Sequence, residues 1–126
     1  MTLRTRLASV AAAGLLASGL AAATAPTADA STCYQSMWRI NSSGTCVKYI
    51  QQLVNFTHYS PALTVDGAFG PKTDSAVRAL QTAFRLRVDG VVGPQTWSVI
   101  CYPQMGPGPI PGFPYAAAKA AGCPGY

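Results

Sequence analysis

Residues 63–73 read Leu-Thr-Val-Asp-Gly-Ala-Phe-Gly-Pro-Lys-Thr, and residues 86–96 read Leu-Arg-Val-Asp-Gly-Val-Val-Gly-Pro-Gln-Thr. The two segments lie 23 positions apart and agree at seven of eleven positions. A repeat that occurs only twice is too short for a solenoid, which needs three or more units to bury a core. We therefore interpret them, as the first connector (residues 63–73) and the second connector (residues 86–96), as one structural device used twice in a small domain.

Each connector combines a turn, an apolar side chain and the start of a helix. Asp-Gly predicts a tight turn, because Gly accepts a positive φ and Asp can bond nearby backbone N–H groups. Two residues later an apolar side chain is expected to point inward, and Gly-Pro then predicts a helix start. The residues expected to have this structural role are Asp66, Gly67, Phe69, Gly70 and Pro71 in the first connector, and Asp89, Gly90, Val92, Gly93 and Pro94 in the second.

Three amphipathic helices are predicted around the connectors, at about residues 46–56, 71–84 and 94–101. Apolar residues recur at helical spacing in each, which predicts one buried face per helix. The predicted buried residues are Val47, Ile50, Leu53 and Val54; then Ala76, Val77, Leu80, Ala83 and Phe84; then Trp97, Ile100 and Cys101. Asp74 and Arg78 form an exposed i, i+4 pair. The sequence therefore predicts an all-α fold, a small three-helix bundle with two turn connectors.

Residues 1–30 have the pattern of a secretory signal peptide. Arg4 and Arg6 give a basic start, an apolar run follows, and residues 28–30 read Ala-Asp-Ala, a cleavage signal. The run is short and rich in small residues, so a membrane anchor is the weaker interpretation. We expect cleavage after Ala30 and secretion, with no stable membrane anchor afterwards.

The remaining 96 residues carry a net charge of +4, from seven basic and three acidic residues. This mild basicity suits an anionic cell-wall polymer, whereas the absence of a Lys/Arg cluster argues against nucleic acid. An even number of cysteines in a small exported chain predicts two disulfides, with three pairings open. We favour Cys46–Cys101 and Cys33–Cys123, because a long closed loop stabilises a small fold most. The cysteine spacings contain no CxxC motif, so we do not expect a metal site.

The chain divides into residues 1–30 as signal peptide, 31–103 as the folded domain, and 104–126 as a Pro/Gly-rich linker with a short C-terminal segment. Pro114 and Gly122 bracket a possible seven-residue helix. A helix this short is not stable alone in water, so it is expected to fray unless Cys123 ties it to the domain.

The side chains available argue against an enzyme. The sequence contains no Glu and one His, and Asp66 and Asp89 are committed to turns. A two-carboxylate hydrolase, a nucleophile–histidine pair and a three-ligand zinc site all need more than this chain supplies. His58 is expected to lie at the end of the first predicted helix, with no catalytic role. We therefore expect binding, with no catalytic residue, no cofactor and no metal.

Several motifs resemble those of the bacterial peptidoglycan-binding domain family. They are Val47-x-x-Ile50-Gln51, Val65-Asp-Gly-x-Phe-Gly-Pro-x-Thr73, Ala76-Val77-x-x-Leu80-Gln81 and Val88-Asp-Gly-Val-Val-Gly-Pro-x-Thr-Trp97, and the match covers about residues 41–101. The resemblance implies a compact three-helix fold that binds peptidoglycan without catalysis. The chain departs from the family at Leu80, where Phe is more common, and at His58, where Gly is more common.

Groups that suit a glycan strand or stem peptide are predicted to converge near the junction of the first two predicted helices. They are Tyr59, Asp66, Lys72, Arg78 and Gln81. We expect a monomeric, stand-alone, secreted or cell-wall-associated module that binds peptidoglycan. The alternatives are a secreted interaction protein that kept the fold and binds a protein partner through its Pro-rich tail, and a small cell-wall hydrolase or hydrolase accessory.

Overall fold

The computed structural model describes residues 31–101 and 109–126, and within these ranges the protein is a bundle of five helices. They are α1 (Ser31–Gln35), α2 (Thr45–Thr57), α3 (Pro71–Ala83), α4 (Pro94–Cys101) and α5 (Tyr115–Ala121). The predicted all-α class is confirmed, and α2, α3 and α4 are the three predicted helices. Helix α1 was not predicted, because residues 31–44 carry no amphipathic repeat long enough to indicate it.

Both connectors adopt the predicted device. Gly67 and Gly90 have φ values of 77° and 72°, the left-handed region that Gly enters without penalty. Phe69 and Val92 are buried. Helices α3 and α4 then begin at Pro71 and Pro94, as the Gly-Pro pairs predict. Isolated β-bridges tie each connector to the N-terminal segment, joining Ser43 to Ala68 and Trp38 to Val92.

Helix α2 is central and packs against α3, α4 and α5. It ends at His58, which has a φ of 59° and donates its N–H to the Asn55 carbonyl. The prediction that His58 ends this helix is therefore confirmed. Trp97 is fully buried, and its indole Nε1 donates to the Ser36 carbonyl at 3.2 Å. The other predicted core residues Val47, Ile50, Leu53, Val54, Ala76, Val77, Leu80, Ile100 and Cys101 are also buried.

The predicted stripe on α3 is wrong at its C-terminal end, where Ala83 is exposed and Phe84 is only half-buried. Arg85 adopts a φ of 57°, and the Leu86 N–H bonds the Gln81 carbonyl at 2.8 Å. This is a Schellman closure, which turns the chain off the helix axis before the stripe is complete. Phe84 instead contacts Tyr59 edge-on, with ring centroids 5.4 Å apart.

The predicted disulfide pairing is wrong. Cys33 bonds Cys46, and Cys101 bonds Cys123, with sequence separations of 13 and 22. The prediction was based on the length of the closed loop, whereas the packing of the helices determines which cysteines lie close enough to bond. Helix α1 lies at the first turn of α2, and Cys123, two residues after α5, lies at the end of α4. Each bond therefore fixes one short helix that would not be stable alone.

The C-terminal segment is part of the core. Phe113 is buried and contacts Phe56 edge-on at 5.2 Å, and Ala117, Ala118 and Ala121 are buried on α5. The predicted helix is thus present and tied by Cys123. Residues 102–108, which include the start of the predicted linker at residue 104, lie outside the described residues. Across the two described ranges, no helix is long and apolar enough to span a membrane.

Candidate functional site

A buried glutamine from α2 organises the first connector. Gln51 is 1% exposed, and its Nε2 group lies 3.0 Å from Asp66 Oδ1, 3.1 Å from the Ala68 carbonyl and 3.1 Å from Thr73 Oγ1. Its Oε1 accepts the Gly67 N–H at 3.0 Å. One side chain therefore bonds the Gly67 N–H, the Ala68 carbonyl and two side-chain oxygens of the first connector, and polar groups are costly to bury without such partners.

A second glutamine, from α3, organises the second connector in the same way. Gln81 is also 1% exposed, and its Nε2 lies 3.0 Å from Asp89 Oδ1, 3.0 Å from the Val91 carbonyl and 3.1 Å from Thr96 Oγ1. Its Oε1 accepts the N–H groups of Asp89 and Gly90 at 3.1 and 3.0 Å. The repeat thus extends from sequence to hydrogen bonding.

The two connector carboxylates are held in place and kept ionised. The Ala68 N–H, and then the Gln51 amide, lower the pKa of Asp66 below its ordinary value. At Asp89 the Val91 N–H lowers the pKa most; partial burial opposes it, and the Gln81 amide adds to the lowering. All the side-chain bonds found go to Oδ1, so within the described residues Oδ2 of each aspartate makes no hydrogen bond. Each connector therefore presents a fixed negative oxygen.

The first depression, of about 460 Å³, lies over the first connector. Its polar lining includes Asp66, Thr73 and Lys72, and its apolar side is Leu63. Lys72 is exposed and makes no ion pair within the described residues. The depression therefore offers a carboxylate and an ammonium group to one ligand, beside an apolar side chain.

A groove of about 510 Å³ adjoins the first depression and shares Leu63 and Lys72 with it. Its other wall carries Tyr59, which is 49% exposed, and its floor includes the small residues Ala76 and Ala79. An exposed aromatic ring beside small apolar residues suits the apolar face of a sugar or a short aliphatic side chain. Three of the predicted site residues, Tyr59, Asp66 and Lys72, therefore lie along one continuous surface.

The second depression, of about 360 Å³, lies over the second connector. Its lining includes Gln81, Asp89 and Arg87, together with Gln95 and Met37. Gln81 thus belongs to this depression, not to the surface that carries Tyr59, and its amide is already fully used by the connector. Arg87, Gln95 and Met37 were not among the predicted site residues.

Arg78, also predicted to join Tyr59, lies instead against the second connector. Its Nε donates to Asp74 Oδ2 at 2.9 Å, which confirms the predicted i, i+4 pair, and one terminal nitrogen lies 3.2 Å from the Asp89 carbonyl. The pair is exposed, so its worth for stability is small. The predicted convergence of five residues is therefore wrong for Arg78 and Gln81, because both sit one helix turn or more along α3 and face the following connector.

No group of three His, Cys, Asp or Glu side chains in the described ranges could hold a metal ion. Both disulfides use the cysteines, and Asp74 is paired with Arg78. His58 lines a separate open depression with Phe56 and Pro111. It has no carboxylate among the residues that line this depression.

The sequence does contain a signal for the two buried glutamines. Val47-Lys-Tyr-Ile50-Gln51 and Val77-Arg-Ala-Leu80-Gln81 share Val-x-x-[Ile/Leu]-Gln at an offset of 30 residues. Each glutamine lies four residues after a buried valine, hence on the buried face of its helix. The periodicity prediction counted only apolar residues, so it left Gln51 out of the predicted buried face. A polar residue repeated on a buried face indicates a shared hydrogen-bonding task.

Known proteins resemble this chain over the same region. The family model described as "Putative peptidoglycan binding domain" matches residues 43–100. A protein of Kitasatospora aureofaciens, named as uncharacterized and in the bpoA1 3′ region, is 41% identical over 108 residues, covering 77% of this chain and 91% of that protein. The chain belongs to the peptidoglycan-binding domain family.

Other relatives match this chain over only part of their own length. The zinc D-Ala-D-Ala carboxypeptidase of Streptomyces albus G is 34% identical over 110 residues, covering 78% of this chain and 43% of that protein. A peptidoglycan-binding protein from Clostridioides difficile, solved with glutamine hydroxamate, has a TM-score of 0.50 at 33% identity over 53% of this chain and 41% of its own. The Burkholderia AP3 phage endolysin has a TM-score of 0.51 at 30% identity, over 57% and 27%. The chain spans less than half of each of these three proteins.

Proposed function

We propose that this protein is an exported, non-catalytic module that binds bacterial peptidoglycan through the first depression and its adjoining groove. The observation that carries the proposal is the position of Lys72. This ammonium group lines both the depression that contains Asp66 and the groove that contains Tyr59. Family membership supplies the ligand class, and the two disulfides fit an extracellular or cell-wall location.

The groups along this surface match the chemistry of the polymer. Peptidoglycan offers stem-peptide carboxylates to Lys72, N–H donors to Asp66 and apolar sugar faces to Tyr59. None of these three side chains is needed to complete the core, since all are exposed. The same surface lacks a nucleophile paired with a base, which supports binding without bond cleavage.

Co-sedimentation with purified sacculi tests the proposal. The protein is expected to pellet with sacculi at moderate salt, and Lys72→Gln and Tyr59→Ser are each expected to weaken retention about 5- to 30-fold, the worth of one charged hydrogen bond or one aromatic contact. Lys119→Gln removes the same charge from α5, away from both depressions, and serves as the control. Failure of the folded protein to pellet would reject the function.

Absence of catalysis has its own test. Incubation of sacculi with the protein is expected to release no soluble fragment and to leave no cleared band on a wall-embedded gel. A cleared band that disappears on changing His58 or Asp66 would instead establish a hydrolase. Deletion of residues 106–126 does not test the partner-binding alternative cleanly. It would remove Phe113 from the core and Cys123 from its disulfide, and would therefore disturb the fold as well as the tail.

A further inference from the structure

We propose that the second depression is a second binding site for the same class of ligand, a short peptide segment that bears a carboxylate and N–H donors. The protein would then hold its polymer at two points. This inference rests on the proposed function, because the ligand class comes from there. It goes further by assigning a site to residues that the resemblance and the proposed function leave without a role.

The two depressions are lined by corresponding positions of the repeat. Asp66 and Thr73 line the first, and their counterparts Asp89 and Thr96 line the second. The buried glutamine fixes the aspartate in each, so both depressions present one ionised carboxylate with Oδ2 unbonded within the described residues. The internal duplication alone explains the shared aspartate and threonine, because both connectors need these residues for their fold.

The cation is not explained by duplication. Lys72 has Gln95 as its counterpart, so the repeat loses the positive charge at this position. The second depression nevertheless contains a cation, because Arg87 stands where the first connector has Thr64. Both depressions therefore pair one aspartate with one exposed basic side chain, reached from two different positions of the connector.

The apolar side is also supplied from a different part of the chain. Leu63 lines the first depression, whereas its counterpart Leu86 does not line the second. Met37 takes this place: it is 58% exposed, and its Cε lies 3.7 Å from the position that a Cβ on Gly93 would occupy. Met37 is therefore available to contact an apolar group of a ligand, and burial of its side chain would contribute favourable free energy to binding.

The shared chemistry defines the occupant. A guanidinium or ammonium group binds a carboxylate, the fixed aspartate accepts N–H groups, and the apolar side chain contacts a small aliphatic substituent. A stem peptide carries all three groups within a few bonds of each other. Two such sites on one rigid body give a polymer an effective concentration at the second site once the first is filled, so retention exceeds the affinity of either site alone.

Nuclear magnetic resonance titration of the 15N-labelled protein resolves the two sites. The probe is the soluble disaccharide-peptide monomer that muramidase digestion releases from sacculi. The amides of Gly67 and Ala68 report on the first depression, and those of Gly90 and Val91 on the second. Both sets are expected to shift and to saturate, because each amide belongs to a connector that lines a depression.

Matched variants then separate the sites. Arg87→Gln is expected to weaken binding at Gly90 and Val91 about 10-fold or more, the effect of losing one charge-assisted hydrogen bond, and to leave the Gly67 set unchanged. Lys72→Gln is expected to do the reverse, and Lys119→Gln to change neither. A Gly90 set that does not shift while the Gly67 set does, or that is indifferent to Arg87→Gln, overturns the inference.

Failure of the inference can be told from failure of the proposed function. If the second set stays still while sacculi retain the protein through Lys72, one site is enough and the function stands. If neither set shifts, the inference is rejected, and sacculus retention then decides the proposed function separately.

Discussion

At the scale of single residues, one buried glutamine in each connector holds the turn together. The nitrogen and oxygen of Gln51 bond three acceptors and one backbone donor, and Gln81 repeats this arrangement with one donor more. Removal of Gln51 leaves the Gly67 N–H without its partner, and removal of Gln81 leaves the N–H groups of Asp89 and Gly90 without theirs. Either removal also opens a cavity.

Gln51→Ala is therefore expected to lower the free energy of unfolding by about 2–4 kcal/mol. The neighbouring Gln52 is half-buried and is a matched control, with an expected change within about 0.5 kcal/mol for Gln52→Ala. Chemical denaturation followed by circular dichroism measures both. Equal effects of the two variants would contradict the structural role of Gln51.

The connector carboxylates predict how stability depends on pH. The folded pKa values of Asp66 and Asp89 lie below the unfolded value of about 3.9. The folded state thus binds fewer protons than the unfolded state, so this contribution to stability is present above about pH 3.9 and is lost as the pH falls through the folded pKa values.

Denaturation midpoints measured from pH 7 to pH 2 are expected to fall on the acid side of about pH 4. The Asp66→Asn, Asp89→Asn double variant is expected to show a flatter acid limb, because it has removed both titrating groups. An acid limb of unchanged steepness in the double variant would assign the pH dependence to other groups.

At the scale of elements, much of the fold could be predicted because the residues of each connector determine its local backbone geometry. Asp-Gly and Gly-Pro are short-range signals, and α3 and α4 begin at the predicted prolines. Features that depend on contacts between distant parts of the chain could not be predicted in this way. The disulfide pairing depends on where α1 and α5 pack, and no local sequence pattern indicates this. The apolar face of α3 ends at a Schellman turn, which was not predicted because its left-handed residue is Arg85 and not Gly.

The candidate site follows the same division. Asp66 and Lys72 lie in the first connector and Tyr59 lies four residues before it, so their proximity could be predicted. Arg78 and Gln81 lie on the same helix as Lys72, but they serve the next connector, and only the rotation of α3 in the bundle decides this. Met37 reaches the second depression from the N-terminal segment, at a sequence distance that periodicity does not address.

Two glycines of the connectors differ in backbone conformation and in the room available for a side chain. Gly90 has a φ of 72°, and a Cβ there would collide with Asp74 Oδ1 and approach the Arg78 guanidinium to 3.0 Å. Gly90→Ala is expected to destabilise the protein by about 2 kcal/mol or more. Gly70 has a φ of −97° and open space around it, so Gly70→Ala is expected to change stability by less than about 0.5 kcal/mol. Thermal denaturation compares the two, and similar losses would contradict the model of the second connector.

The disulfide between Cys101 and Cys123 should control α5. Cys101→Ser with Cys123→Ser is expected to lower stability by about 3 kcal/mol, the value for a loop of this order of length. Amide hydrogen exchange should accelerate first in α5, because its seven residues are not stable as a helix without the tie. Exchange that accelerates equally in α2 would show that the bond supports the whole core and not one helix.

At the scale of the whole molecule, export has a direct measurement. If residues 1–30 are a signal peptide, protein recovered from culture medium or cell wall is expected to begin at Ser31 by N-terminal sequencing. A mature chain that still begins at Met1 would contradict export by this route.

The molecule as a whole is a small rigid bundle whose two connectors lie at the starts of successive helices. Each carries a fixed aspartate, an exposed cation and an apolar side chain. We therefore propose that peptidoglycan is bound at the connectors and that the helices hold the connectors in position.

Binding isotherms on purified sacculi test this placement most directly. Lys72→Gln with Arg87→Gln is compared with Arg39→Gln with Lys119→Gln, which makes the same change in net charge at exposed sites outside both depressions. The connector pair is expected to lose about 100-fold or more in retention and the control pair less than about 5-fold, at equal thermal stability. Equal losses in the two pairs would mean that the wall recognises overall charge, and would contradict the account.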